Sequence, residues 1–138
     1  MRTNKMKIID DWYKEKVNSQ YLTLISAIEV HEEYRVHTGG RSIYGEVIIV
    51  AEPNSVFQFT SHVEWPDKKN EDVYNKKILH GLIDVLFTYT DTPILGLSVI
   101  LNKIGWDDID SCAIGYYKAA RIAAKKILRP ANDKWNYE

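Results

Sequence analysis

The stretch His37-Thr-Gly-Gly-Arg-Ser-Ile-Tyr-Gly-Glu-Val-Ile-Ile-Val-Ala-Glu-Pro53 decides the fold, because it joins a glycine-bracketed loop to a β-branched run. Gly39 and Gly40 can adopt the positive φ angles of a tight turn, so the stretch predicts a turn between two long strands. Gly45 predicts a bulge or the close approach of another backbone segment. Residues 41–44 then lie at an exposed tip, where we expect a functional contact.

This glycine loop does not have the chemistry of a nucleotide site. Gly40 and Gly45 have the spacing of a phosphate-binding loop, but Glu46 and Val47 follow where that motif needs a lysine and a hydroxyl. A carboxylate would repel phosphate, and a strand follows where the motif needs a helix. We therefore expect no GTP binding and no cofactor.

Composition limits the protein class. A chain of 138 residues with 45% hydrophobic and 27% charged residues is long enough for one packed domain. Its net charge of -1 means that contact with nucleic acid must come from a local basic patch. The single cysteine, Cys112, excludes an internal disulfide framework. No apolar run reaches membrane-spanning length and the start lacks the apolar core of a signal peptide, so we expect a cytoplasmic protein without membrane contact.

The first half of the chain has the period-two pattern of strands. Apolar residues occupy even positions from Leu22 to Val36, which predicts a half-buried first strand. Residues 44–52 form a predicted second strand and residues 56–64 a third. The Glu-Pro-Asn-Ser segment between them is typical of a hairpin turn. Three antiparallel strands are therefore expected first.

The second half has helical spacing, interrupted by one strand. Apolar residues from Tyr74 to Tyr89 lie on one side of a predicted helix, which Thr90-Asp-Thr-Pro93 ends. Gly81 inside this helix suggests close packing against the sheet. Residues 95–101 alternate as a fourth strand, and residues 102–109 form a second loop. Asp110 and Ser111 then cap a helix that runs to Pro130.

This order predicts an α+β fold, a two-layer α/β sandwich of β-β-β-α-β-α order, with both helices on one face of a four-stranded sheet. Residues 1–20 are an N-terminal arm with the pattern of a short helix, residues 21–129 the domain, and residues 130–138 a C-terminal tail. The expected core consists of Leu24, Ile28, Val30, Val47, Ile49, Phe57, Phe59, Ile78, Leu82, Leu97, Val99, Tyr117, Ala120 and Ala124.

Catalytic chemistry has little support in the sequence. Asp107, Asp108 and Asp110 could hold a hard cation, but acidic residues before a helix more often stabilise its start. The four histidines lack metal-binding spacing, and no serine or cysteine lies in a nucleophile motif. We expect no catalytic residue and no metal site, although a small metal-dependent enzyme stays as an alternative.

A basic stripe follows the last predicted helix. Lys118, Arg121, Lys125 and Arg129 recur at spacings of three and four, and Lys126 lies beside them. Such a stripe is a solvated helix face, a contact for backbone phosphates, or a contact for an acidic protein.

The chain from about Ser26 to Leu128 resembles the fourth domain of translation elongation factor G and of the related ribosomal-protection tetracycline-resistance proteins. The resemblance is carried by Thr38-Gly-Gly-Arg-Ser-Ile-Tyr-Gly45 before a strand, by Gly81 and Gly96, and by Trp106-Asp-Asp-Ile-Asp-Ser111 before an alanine-rich helix. The motifs occur in the order of that family.

The resemblance implies a left-handed βαβ crossover, an exception to the usual handedness. It also implies that two loops share the far tip of the domain, which in that family reaches the decoding region of the small ribosomal subunit. By matching position, the tip role comes to Gly39, Gly40, Arg41, Tyr44, Trp106, Asp107 and Asp108. Elongation factors commonly carry a histidine where Asp107 stands, and an acidic side chain would face phosphate unfavourably.

These observations lead to one hypothesis and its rivals. We expect a stand-alone domain IV-like module, without a GTPase domain, that contacts the ribosome or structured RNA. The alternative is a protein-interaction module that keeps the fold but has lost the RNA contact. At the tip, Arg41 is expected to lie near Trp106 and the acidic pair Asp107-Asp108.

Overall fold

The structure is a computed structural model that describes residues 22–24, 26–88, 96–128 and 135–137. Its elements, in chain order, are β1 (Leu22–Leu24), β2 (Ile28–Thr38), β3 (Arg41–Pro53), β4 (Gln58–Ser61), a 3-10 turn (Lys68–Asn70), α1 (Glu71–Leu86), β5 (Leu97–Gly105), α2 (Ala113–Leu128) and β6 (Trp135–Tyr137). The predicted N-terminal helix, Thr90–Pro93 and Arg129 lie outside the described residues.

The main sheet has four strands in the order β2-β3-β5-β4. β3 is antiparallel to both of its neighbours, β2 and β5, whereas β4 is parallel to β5. The predicted α+β fold, with a four-stranded sheet and two helices, is therefore confirmed. The prediction of three antiparallel strands in succession was wrong, because β5 lies between β3 and β4. The apolar alternation of β5 is better buried at that inner position than the short, half-exposed β4 would be.

The predicted first strand is divided in two. Its second part, β2, pairs with β3 from Ile28 to Thr38. Its first part, β1, precedes a bend at Ser26 and belongs to a separate two-stranded sheet. There β1 pairs antiparallel with β6, with Leu22 opposite Tyr137 and Leu24 opposite Trp135. This pairing docks part of the C-terminal tail against the start of the domain.

The core lies between the sheet and the two helices. β3 and β5 contribute alternate residues, and α1 and α2 contribute Ile78, Leu82 and a run of small residues. Tyr117 was wrongly predicted as a core residue. The fully buried ring belongs to its neighbour Tyr116, because Tyr117 lies on the side of α2 that faces α1 and donates its hydroxyl to Asp84. The predicted core residues Ala120 and Ala124 are fully buried. Ile28, Phe57 and Phe59 are partly buried at the edge of the core.

Two glycine contacts bring backbones unusually close. A Cβ atom on Gly81 would lie 2.5 Å from the carbonyl oxygen of Tyr117, so Gly81 packs against α2 and not, as predicted, against the sheet. A Cβ atom on Gly45 would lie 2.2 Å from the carbonyl carbon of Gly115. The close approach predicted at Gly45 is therefore confirmed, and it joins the start of α2 directly to β3.

The element ends differ from the predicted ones in ways that affect the second loop. β5 continues to Gly105, so this loop begins at Trp106, four residues later than predicted. The pairing of β3 with β5 shifts at Ile48 and Ile49, which leaves Asn102 as the extra residue of a bulge. Within the described residues, no helix combines the length and apolar content that a membrane crossing requires.

Candidate functional site

The hairpin between β2 and β3 ends in a two-residue turn. Gly39 and Gly40 have φ angles of +57° and +78°, as the sequence predicted. Arg41 is exposed immediately after the turn, and Thr38 pairs with it across the hairpin. Residues with side chains avoid these φ values, so the two glycines hold Arg41 at the end of a ladder of β-pairs.

The second loop, residues 106–112, is attached to β3 by its backbone. The N–H of Tyr44 donates to the carbonyl of Asp110 at 3.1 Å, and the N–H of Cys112 donates to the carbonyl of Tyr44 at 3.4 Å. The Gly45–Gly115 contact lies beside these bonds. The second loop and the hairpin thus form one end of the molecule, here called the tip.

Asp107 organises the turn of the second loop. Its carboxylate accepts the N–H groups of Ile109 at 2.9 Å and Asp110 at 2.8 Å. These two backbone bonds, that of Asp110 first, lower the pKa of Asp107. The hydroxyl of Ser111 accepts the N–H of Asp107 at 2.8 Å. Ser111 therefore closes the loop instead of capping α2, which was the predicted role. The carbonyl of Cys112 accepts the N–H groups of Gly115 and Tyr116 in the first turns of the helix.

The other two aspartates are also engaged. Asp108 accepts the indole N–H of Trp106 at 2.8 Å, and the carboxylate of Asp110 lies 3.8 Å from a guanidinium nitrogen of Arg35. Among the described residues, no group of three or more histidine, cysteine, aspartate or glutamate side chains could hold a metal ion. The three aspartates thus form a folded loop in which each carboxylate has a partner within the protein.

Arg35 is the residue of the tip that sequence reasoning missed. Its guanidinium lies 4.1 Å from the centre of the Tyr44 ring and pairs with Glu33 at 3.0 Å. The hydrogen bond to Glu33 is the main cause of the raised pKa of Arg35. Tyr44 in turn donates its hydroxyl to Glu46. Arg35, and not Arg41, therefore meets the acidic loop.

Glu46 links this cluster to β2. Its carboxylate accepts the Tyr44 hydroxyl and also pairs with His31. These hydrogen bonds, that of Tyr44 first, lower the pKa of Glu46. Burial of Tyr44, which is 5% exposed, and its bond to Glu46 raise the pKa of the phenol. Tyr44 was predicted as a tip contact, but the structure places it as a buried support beneath the tip.

Aromatic rings fill the space behind the second loop. Trp106 contacts Trp65, Tyr74 and Tyr116, with ring centroids 5.6 to 6.4 Å apart. Tyr116 donates its hydroxyl to the carbonyl of Gly105 at 2.7 Å, and burial raises its pKa to about 12. Trp106 is therefore partly buried and packs between the second loop and the aromatic residues of the core. Its ring is held in place by the core.

Arg41 and the acidic second loop lie at different positions along β3. The loop contacts β3 at Tyr44, and Arg41 is three residues farther toward the turn, which is about 10 Å along an extended strand. Gly39, Gly40, Arg41 and Asp108 are exposed, whereas Asp107 and Trp106 are partly buried. The tip thus presents an arginine at its end and an engaged acidic loop behind it.

The predicted basic stripe falls on the outer side of α2. Lys125 is exposed, Lys118 is partly exposed, and the guanidinium of Arg121 lies 5.8 Å from the ring centre of Tyr117. Lys126 differs from these residues because it pairs with Glu32, which is 8% exposed on the inner side of β2. Lys126 therefore holds α2 to the sheet.

Comparison with known proteins finds relatives among the elongation factors G. No family model matches the chain. It is 31% identical over 118 residues to elongation factor G of Ureaplasma parvum serovar 3, a match that covers 78% of this chain and 16% of that relative. Elongation factor G of Ureaplasma urealyticum serovar 10 has the same identity and coverage. The chain thus spans about a sixth of the length of these relatives.

A crystal structure of a protein from Thermus thermophilus has the same fold. The TM-score is 0.66 with 24% identity, and the match covers 78% of this chain and 16% of that one. The chain is therefore homologous to one segment of elongation factor G, and its fold is that of an elongation factor G domain IV-like unit.

Proposed function

We propose that this chain acts as a translation-factor-like module whose tip contacts structured RNA of the ribosome, without GTPase activity of its own. The observation that carries the proposal is the position of Arg41, exposed at the end of a hairpin that the second loop buttresses. The homology to elongation factor G supports a role in translation. We expect the chain in the cytoplasm, where such a contact takes place.

The tip is suited to phosphate because it is already ordered. β2 and β3 are 11 and 13 residues long, and the backbone of the second loop bonds to β3 at Tyr44. Little conformational entropy is lost when such a support binds, so more of the contact energy appears as affinity. A guanidinium also offers a phosphate two parallel N–H donors.

The acidic loop does not cancel this contact. Asp107 is turned onto backbone N–H groups, Asp108 onto Trp106, and Asp110 toward Arg35. Arg41 lies beyond all three, so a phosphate that approaches along the hairpin meets the guanidinium first. An exposed ion pair is worth only about 0 to 1 kcal/mol, which is too little to keep Arg41 from a phosphate.

Co-sedimentation with purified small ribosomal subunits across a salt series tests the proposal. We expect Arg41→Glu to weaken binding at least tenfold and to reduce the slope of log K against log salt by about one, as the loss of one phosphate contact does. Lys76→Glu, at an exposed position of α1, makes the same change in charge and is the control. Asp108→Asn keeps an acceptor for Trp106, removes one negative charge, and is expected to strengthen binding. Equal binding by the parent and Arg41→Glu would contradict the proposal.

Absence of GTPase activity is the second part of the proposal. The only glycine loop of P-loop spacing in the sequence runs into β3, and Glu46, which follows it, is bonded to Tyr44 and His31. No N–H cradle at a helix start follows this loop. Any nucleotide chemistry would therefore have to come from outside these 138 residues.

A further inference from the structure

The outer side of the helix pair forms a second surface, separate from the tip. It consists of Val73, Lys77 and His80 of α1 and Ile114, Lys118, Arg121 and Lys125 of α2, and is called here the seam surface. We propose that the seam surface binds an acidic, amphipathic segment of a protein partner.

Contacts at the seam show that the two helices lie side by side. Gly81 of α1 lies against the backbone of Tyr117, and Tyr117 donates its hydroxyl to Asp84 at 2.5 Å. The ring of Tyr117 is 6.1 Å from that of His80, and the guanidinium of Arg121 lies over the Tyr117 ring at 5.8 Å from its centre. Tyr117 therefore joins the outward residues of α1 to those of α2 in one continuous surface.

The helices also run in the same direction. Tyr74 contacts Tyr116 near both helix starts, and Gly81 lies next to Ala120 one to two turns later. Val73 and Ile114, in the first turns of the two helices, are consequently at the same end of the seam surface. Each is 45% exposed, and both belong to the four large apolar side chains that are exposed among the described residues. These two side chains give one end of the seam surface an apolar character.

Positive charge follows the apolar end. Lys77, Lys118, Arg121 and Lys125 recur at helical spacing along the seam. Of the aspartates that α1 carries near it, Asp84 already accepts the hydroxyl of Tyr117 and Asp72 lies in the first turn. The cations thus outnumber the carboxylates on this side of the described helices, and a ligand with carboxylates in register would complement them.

An acidic protein segment fits this pattern better than RNA does. Phosphates would use the lysines and Arg121 but would gain nothing from Val73 and Ile114. An amphipathic helix with carboxylates on its flanks buries its apolar side chains at the first turns and pairs its charges farther along. From Val73 to Asp84 the seam surface extends about 16 Å along α1, which is enough for three turns of such a helix.

A synthetic peptide provides the probe. We would use an 18-residue helix with leucine at every third or fourth position and glutamate at most others, and a matched peptide with serine in place of leucine. Fluorescence anisotropy gives the affinity, and ¹⁵N chemical shifts locate the contact. We expect binding in the range of tens of micromolar, shifts concentrated on the seam surface, and at least tenfold weaker binding of the serine peptide.

Variants of the protein decide among the possible partners. Ile114→Ser should weaken peptide binding at least fivefold and Lys118→Glu at least tenfold. Val56→Ser, which changes an exposed apolar residue between β3 and β4, should leave it unchanged. Circular dichroism checks that each variant is folded.

Three outcomes would overturn the inference: no peptide binding, equal binding of the serine peptide, or shifts outside the seam surface. A short RNA hairpin that binds the seam in both parent and Ile114→Ser would make it a nucleic-acid surface instead. Because Arg41→Glu leaves the seam surface intact, failure of the tip proposal and failure of this inference are distinguishable.

Discussion

Gly115→Ala tests the contact that attaches the second loop and α2 to β3. Alanine is ordinarily better than glycine inside a helix by about 1 kcal/mol. At this position a Cβ atom would lie 2.2 Å from the carbonyl oxygen of Tyr44 and 2.9 Å from the nitrogen of Gly45. Both are backbone atoms of a paired strand, which cannot rotate away as a flexible side chain can. We therefore expect the substitution to destabilise the protein.

The magnitude follows from the separation that the extra methyl group demands. Ordinary contact begins near 3.4 Å, so the helix start and β3 must move apart by roughly 1 Å. That movement strains packing, which costs about 1 to 3 kcal/mol. It also lengthens the two backbone bonds between Tyr44 and the second loop, worth about 0.5 to 1.5 kcal/mol each. After the gain in helix propensity, the net loss is about 1 to 5 kcal/mol.

Urea unfolding followed by tryptophan fluorescence measures this loss, because Trp65 and Trp106 lie in the aromatic cluster behind the loop. Lys125→Ala and Lys125→Gly, at an exposed position of the same helix, give the intrinsic difference between the two residues. If Gly115→Ala were as stable as the parent, or more stable, the close contact between β3 and α2 would be wrong.

Other perturbations test other parts of the structure. Leu82→Ala removes a fully buried side chain and should cost about 2 to 5 kcal/mol in urea unfolding, so a loss below about half a kcal/mol would place its helix face wrongly. The pKa of Glu46 lies below its ordinary 4.5, so its interactions stabilise the fold above that pH and are lost as the pH falls through the lowered value. The Glu46→Gln variant should therefore lose less stability than the parent between pH 5 and pH 3, and parallel curves would contradict this. Arg35→Ala should speed amide exchange at Tyr44 and Cys112, whose N–H groups join the loop to the strand, while exchange in the centre of α1 stays the same. Calorimetry with GTP should show no binding at micromolar concentration, and a clear isotherm would refute the absence of a nucleotide site.

The hairpin could be predicted from the sequence in detail, because its turn is set by two adjacent glycines. A two-residue turn at Gly39 and Gly40 fixes the register, and the residue numbers of every pair in the hairpin add to 79. That rule alone places Arg35 opposite Tyr44. The sequence therefore contains the Arg35–Tyr44 pair, which the alternation within each single strand does not show.

The arrangement of β4 and β5 could not be predicted in the same way. Which strand lies beside β3 depends on long-range competition for a buried position, and the local Pro-Asn turn between β3 and β4 is compatible with either neighbour. The choice of the buried tyrosine in α2 was also outside local information. Tyr116 and Tyr117 are adjacent aromatic residues, and the packing of α2 against both β3 and α1 decides which ring is buried.

The second loop shows the limit of composition as a guide to function. Its three aspartates resemble a cation site in the sequence, but in the fold Asp107 binds backbone N–H groups and Asp110 faces Arg35. Those partners come from the turn itself and from a strand in the first third of the chain. In the sequence the three aspartates therefore indicated an acidic surface. Only the structure showed that their carboxylates bond to groups of the protein itself.

Directed cleavage of ribosomal RNA tests the central claim, that the tip is the part that contacts RNA. In a Cys112→Ser background, an iron chelate is tethered to a cysteine placed at Ser42 beside Arg41, or, as a control, at Ser55 beyond the far end of β3. Hydroxyl radicals from the first position should cut small-subunit RNA at a confined set of nucleotides, and those from the second should not. Equal cleavage from both positions, or none from Ser42 while the protein is bound, would contradict the account.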